Sequence, residues 1–133
     1  MGDPGDKGAG LAKMTLGSRA FSKALAASEI ESIVQSSLSD ILKTVSPQMV
    51  ILFGSAVCGK FDDASDLDFV VVFEDRYQAA AGMKSLYRMN RSVQKPHDFI
   101  CVDQDTFQRK SEMGGVLYVA KREGKVLFSR PKI

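Results

Sequence analysis

The reading of this chain turns on Ile51-Leu52-Phe53-Gly54-Ser55, followed after ten residues by Asp66-Leu67-Asp68-Phe69-Val70-Val71-Val72. Both apolar runs are built from β-formers, so each predicts a short buried strand. Residues two apart in a strand project to one face, so Asp66 and Asp68 leave the sheet together, with Cα atoms roughly 7 Å apart. Two carboxylates that close at the mouth of an apolar strand repel each other and lose hydration. A divalent cation relieves both penalties, and magnesium favours one or two carboxylates completed by phosphates and water. Gly54 lets the backbone approach a bulky anion, and successive N–H groups in a turn can cradle phosphate oxygens. The Ser55 hydroxyl adds a donor, although serine after glycine is also ordinary turn chemistry. A short helix starting after Ser55 would add favourable potential for an anion.

Outward from this passage the chain alternates helical and extended patterns. A short helix is expected over residues 18–27. A stronger one follows, opened by Ser28 and Glu31 as a capping box, with Ile30, Ile33, Val34, Leu38, Ile41, Leu42 and Val45 on one face and Pro47 as its stop. Met49 to Phe53 and Asp66 to Phe73 are expected strands, the second covered on both sides. Asp75 can cap a helix in which Ala79, Met83, Leu86 and Tyr87 share a face. His97 to Val102 reads as a third strand. Asp105 can cap a last helix running to about Arg122, weakened or kinked at Gly114-Gly115 and stopped at Gly124, before a short edge strand at Val126–Phe128. The pattern is one α+β (mixed α/β) domain over residues 18–133, behind a glycine-rich tail at 1–17 expected to be flexible.

Composition narrows the function classes. A chain of 133 residues with 44% apolar and 26% charged residues is sized for one soluble domain. Its longest apolar runs, Phe69 to Phe73 among them, are too short to cross a bilayer, and no secretory signal is visible, so a cytoplasmic location is expected. A formal charge of +2 lacks the strong basic excess of a dedicated nucleic-acid binder. Lys84, Arg88, Arg91 and Lys95 cluster near a helix end. Their plain reading is a solvated face, and their functional reading is a docking patch for an acidic partner or for phosphates. Cys58 and Cys101 do not form a spaced pair. His97, the only histidine, leaves little scope for zinc sites or nucleophile triads, and it reads as a strand-entry residue.

The spacing of Gly54-Ser55 and Asp66-x-Asp68 resembles the signature of the DNA polymerase β-like nucleotidyltransferases, and most closely the minimal nucleotidyltransferase (MntA-type) proteins. With each residue type at roughly one position in fifteen, four fixed positions coincide by chance about once in 50,000 starting points. The closing helix, Gly124 and the last strand are similar to the family's as well. The resemblance implies a small mixed sheet flanked by helices, with a third carboxylate on a later strand, which Asp98 matches. It implies two magnesium ions, with manganese as a substitute, held by Asp66, Asp68 and Asp98 as the catalytic set. Gly54, Ser55 and Lys60 would then hold a nucleoside triphosphate, expected to be ATP. The family often has an arginine just after the glycine-serine pair, whereas this chain runs Ala56-Val57-Cys58-Gly59-Lys60. The acceptor implied is a hydroxyl, either on a separately encoded partner such as a HEPN-type toxin or on a small molecule such as an aminoglycoside. The different-class alternative is a fold that neutralises its partner by contact alone.

Overall fold

In the computed structural model, which describes residues 24–131, the apolar stripe around Ile30 winds into helix α1 (Ala27–Thr44). Strand β1 (Met49–Phe53) begins two residues after Pro47, and a 3-10 turn over Gly54–Ala56 ends it. Strand β2 (Leu67–Phe73) runs back antiparallel beside β1, with Phe53 opposite Asp68 and Met49 opposite Val72. Helix α2 (Arg76–Arg88) then carries the chain back, so strand β3 (His97–Asp103) lies parallel to β2 with Asp68 beside Asp98. A parallel pair needs such a crossover, and the helix supplies it. Helices α3 (Gln104–Lys110) and α4 (Val116–Glu123) precede strand β4 (Lys125–Ser129), which is antiparallel to β1 with a bulge at Val50/Ile51. The sheet order is β3-β2-β1-β4.

Strand alternation divides the core in two. On one face Leu52, Leu67, Phe69, Val71 and Phe73 pack with Val34, Leu38 and Ile41 of α1 and Leu86 of α2. On the other, Ile51, Val70 and Val72 lie beneath Phe107 of α3 and Leu117 and Ala120 of α4. Every β2 residue except Asp68 is buried, as expected of a strand covered on both sides. The same alternation puts Asp68 on the α3/α4 face of the sheet, at the end that those helices leave open.

Several local expectations are corrected. Residues 24–26 are not helical: Ala24 forms an isolated bridge with Asp62, and the Leu25 N–H donates to the Phe61 carbonyl. The rest of the helix expected at 18–27 and the tail at 1–17 lie outside the described residues. Helix α1 starts before Ser28, and Glu29 rather than Glu31 reaches back, accepting from the Ala26 N–H at 2.9 Å. Asp75 caps α2 as expected, accepting from the Gln78 N–H at 2.8 Å, but the buried face is Ala79, Gly82 and Leu86. Met83 and Tyr87 stand exposed, because Gly82 lets the helix sit so low on Phe73 that the seam turns by one residue.

The single last helix is two. Gly114 and Gly115 hold φ of 106° and 83°, a region that L side chains rarely enter, so the helix breaks there. Asp103, not Asp105, caps α3, its carboxylate accepting from the N–H and hydroxyl of Thr106. Gly124 does stop α4, for a reason other than backbone handedness. Its φ is an ordinary −78°, and a Cβ there would lie 2.4 Å from the Ala120 carbonyl and 2.7 Å from Ile51.

Candidate active site

The open end of the sheet gathers the acidic residues. Asp68 and Asp98 are register neighbours on parallel strands, so their side chains leave the same face side by side. Asp66 lies one residue before β2 and is exposed. The half-buried Asp68 carboxyl is held above its ordinary range, first by burial and then by the negative fields of Asp98 and Asp66. No lysine or arginine among the described residues pairs with any of the three. They form one uncompensated negative field.

Gly54 closes the site from the β1 side. Its φ is +80°, and a Cβ built on it would lie 2.3 Å from Asp68 Oδ2. Only glycine therefore lets the turn and the carboxylate occupy adjacent space. Ser55 sits half-buried in the 3-10 turn that follows, and its carbonyl accepts from the Cys58 thiol at 3.7 Å. That turn is too short to act as a helix end, so what it brings to the carboxylates is main chain. Lys60 is exposed in the loop before Phe61 and makes no ion pair or hydrogen bond with the aspartates. The structure thus brings together Gly54, Asp66, Asp68 and Asp98, keeps Ser55 beside them, and shows no ion pair or hydrogen bond from Lys60 to them.

The residue set suits a hard divalent cation. The donors are all carboxylate oxygens, no cation among the described residues pairs with them, and a glycine turn brings main chain against Asp68. Among the described residues no three acidic, histidine or cysteine side chains already converge as a ready-made ligand group.

Two supporting residues escaped the sequence reading. Tyr87 of α2 packs edge-on against Phe99, with ring centroids 5.4 Å apart. Its oxygen accepts from the Phe99 N–H at 3.2 Å, and its O–H lies 3.3 Å from Asp98 Oδ1 and 3.5 Å from the Phe99 carbonyl. Because β3 is an edge strand, the outward N–H and C=O of Phe99 lack a strand partner, and the phenol serves them while reaching Asp98. Periodicity had assigned Tyr87 to the core, so no sequence signal marked it.

His97 is the second. It is buried between Phe69 and Phe99, with its Nδ1 2.7 Å from the Lys95 carbonyl and its Nε2 2.9 Å from Ser37 Oγ. A carbonyl can only accept, so Nδ1 carries the proton and Nε2 accepts from the Ser37 hydroxyl. Burial lowers its pKa, which keeps the ring neutral. Asp40, also on α1, accepts from the N–H and hydroxyl of Ser92 at 2.7 and 3.0 Å. Two buried polar residues of α1 therefore pin the loop and strand start that carry Asp98. Cys101 plays no comparable part, since burial alone pushes its thiol to about 11.

Residues 36–133 match the family model described as polymerase beta, nucleotidyltransferase. That span is most of the chain, and the protein belongs to the polymerase β nucleotidyltransferase family. No curated protein matches the chain in sequence. Among solved structures it is similar to a presumptive nucleotidyltransferase from Sulfolobus solfataricus, at 17% identity and a TM-score of 0.50, over 81% of this chain and 91% of that one. At that identity the likeness is one of fold. No helix among the described residues is long and apolar enough to cross a membrane.

Proposed function

We propose that this protein transfers a nucleoside monophosphate, AMP from ATP, to a hydroxyl on a separately encoded protein. The observation that carries the reading is the register pairing of Asp68 with Asp98, next to a Gly54 turn that lies against the Asp68 carboxylate. Magnesium or manganese, held by Asp66, Asp68 and Asp98, would supply charge neutralisation at the transferring phosphoryl group and acidify the attacking hydroxyl. The chain's own residues then have distinct parts. The Gly54 main chain and the Ser55 hydroxyl receive the outer phosphates, where backbone can approach without a side chain intervening. Asp98 takes the proton of the attacking hydroxyl, as a general base within reach of the acceptor. The acceptor oxygen bonds to the α-phosphorus as the bond to the bridging oxygen breaks, and pyrophosphate leaves.

A tyrosine of a HEPN-type toxin is the acceptor that the family resemblance suggests, which would make the protein an antitoxin. A small-molecule acceptor such as an aminoglycoside is the alternative within the same chemistry. The missing arginine after Ser55, and the lack of any ion pair between Lys60 and the aspartates, support a second reading in which the fold neutralises a partner by contact alone.

Isotope placement separates these readings. Extract of the source cells, purified protein and magnesium are incubated with ATP labelled at the α- or the γ-phosphate. Transfer leaves α-label and no γ-label on a macromolecule, and Asp66→Asn or Asp68→Asn abolishes it. Label from the γ-position alone would indicate a kinase. Partner neutralisation with no label, equally good in Asp98→Ala, would leave contact as the function.

A further inference from the structure

The run from Arg76 to Lys95 holds five cations and no acidic residue. On α2, Tyr77, Lys84 and Arg88 recur seven and four residues apart and share the solvent face with Ala80, Ala81 and Tyr87. Tyr77 is 74% and Tyr87 51% exposed. Lys84 and Arg88, and Arg91 just beyond the helix, form no ion pair among the described residues. Surface charge ordinarily mixes signs, which limits self-repulsion, and this face does not. Tyrosine and arginine are also the residues that most often anchor protein contacts, here beside two alanines that keep the helix surface flat.

The position of the stripe matters more than its charge. It ends at Tyr87, whose hydroxyl reaches Asp98, the carboxylate at the acceptor side of the site. Gly54, on the phosphate side, lies across β2 at the end of β1. A macromolecule seated on α2 would therefore meet the site from the side of Asp98 and not through the nucleotide.

We propose that the solvent face of α2 is the docking surface for an acidic protein surface that presents its hydroxyl to Asp98. This rests on the transferase reading above and adds where the acceptor binds. Opposite charges speed encounter and set orientation while the flat aromatic centre supplies contact area. Attraction of this kind weakens with salt, because exposed charges are screened over about 8 Å at physiological ionic strength.

The test uses a fluorescent random copolymer of glutamate and tyrosine, which carries both the acidic surface and a phenolic hydroxyl. Anisotropy is measured without nucleotide or metal, for the wild type, the double charge reversal K84E/R88E, and a control reversal on α3, K110E. Circular dichroism and thermal melting check that each variant folds. At least tenfold weaker binding by K84E/R88E is expected, with K110E within twofold of wild type and wild-type binding falling as salt rises. Equal binding by all three proteins would overturn the proposal. So would tighter binding of an oligothymidylate through the same two residues, which would make α2 a nucleic-acid surface. A second arm adds magnesium and α-labelled ATP. Binding that needs Lys84 and Arg88 without label transfer would leave the surface standing and remove the transferase reading. Label transfer unaffected by K84E/R88E would do the opposite.

Discussion

Gly54 holds φ at +80° with its α-carbon against Asp68, so two penalties meet at one position. Gly54→Ala should cost about 1–3 kcal/mol for the backbone region alone. The new methyl also pushes the Asp68 carboxylate aside. Thermal melting should show the lost stability, and calorimetry with Mg²⁺-ATP should show lost binding beyond what the fold loses. Asp68→Asn should behave in the opposite sense. Its carboxyl is raised by burial and two like charges, so the ionised form is disfavoured in the fold. Removing the charge should leave the protein at least as stable in chelator at neutral pH, while transfer is abolished. Unfolding of this variant would instead give the carboxylate a structural role. Tyr87→Phe keeps the ring on Phe99 and deletes only the hydroxyl. Hydrogen bonds to charged groups are worth about 1.5–3 kcal/mol, so transfer should slow about tenfold or more with little change in the KM for ATP.

Between elements, the contact that holds Asp98 in place is polar. Ser37 of α1 donates to His97 at the start of β3, both of them buried. Ser37→Ala strands the His97 acceptor and should cost about 1–3 kcal/mol in denaturant unfolding. The same ring gives a pH signature. Its folded pKa is lowered, so between about pH 6.5 and that lower value the unfolded chain binds the extra proton and stability falls with falling pH. Asp68, raised in the fold, contributes the opposite slope above its unfolded value. The informative quantity is therefore the difference between wild type and His97→Gln, measured by thermal melting in chelator from about pH 7 downward. The wild type should lose more on acidification. At the α2–β2 seam, a Cβ on Gly82 would lie 2.4 Å from Phe73 Cζ. Alanine gains about 1 kcal/mol of helix propensity, yet overpacking costs about 1–3 kcal/mol, so Gly82→Ala should be net destabilising.

For the whole molecule, the site predicts a coupled ligand response. The acidic field attracts metal and repels triphosphate, so ATP in chelator should barely move the melting temperature. Metal with ATP should move it more than either alone, since a ligand at a hundredfold excess over its Kd adds about 2.7 kcal/mol. Equal shifts by ATP in chelator and in magnesium would remove the metal-bridged site. The charge arrangement extends beyond that site. Asp66, Asp68 and Asp98 place negative charge at the site, and Lys84 and Arg88 place positive charge on α2, whose Tyr87 reaches Asp98. An acidic partner is drawn to the helix and kept off the carboxylates, which orients it.

The sequence by itself determined the strands, most helices and the fold family, because each depends on local pattern. Met49–Phe53 is a run of β-formers ended by glycine, and alternation within Leu67–Phe73 fixes the face that Asp68 takes, whereas Asp66 falls just outside the strand. Asp75 was legible as a cap for the same reason, since a cap acts within three residues. The tertiary structure decided what depends on distant partners. Periodicity could not tell which side of α2 is buried, because the seam is set by how closely Gly82 meets Phe73. Hence Tyr87 read as core and emerged as the hydroxyl beside Asp98. The pairing of Asp68 with Asp98 needed the parallel register of β2 and β3, and the part played by His97 needed Ser37, sixty residues away. Local propensity fixes which segment a residue belongs to. Only packing fixes which groups it faces, and at this site the facing groups set charge, tautomer and proton position.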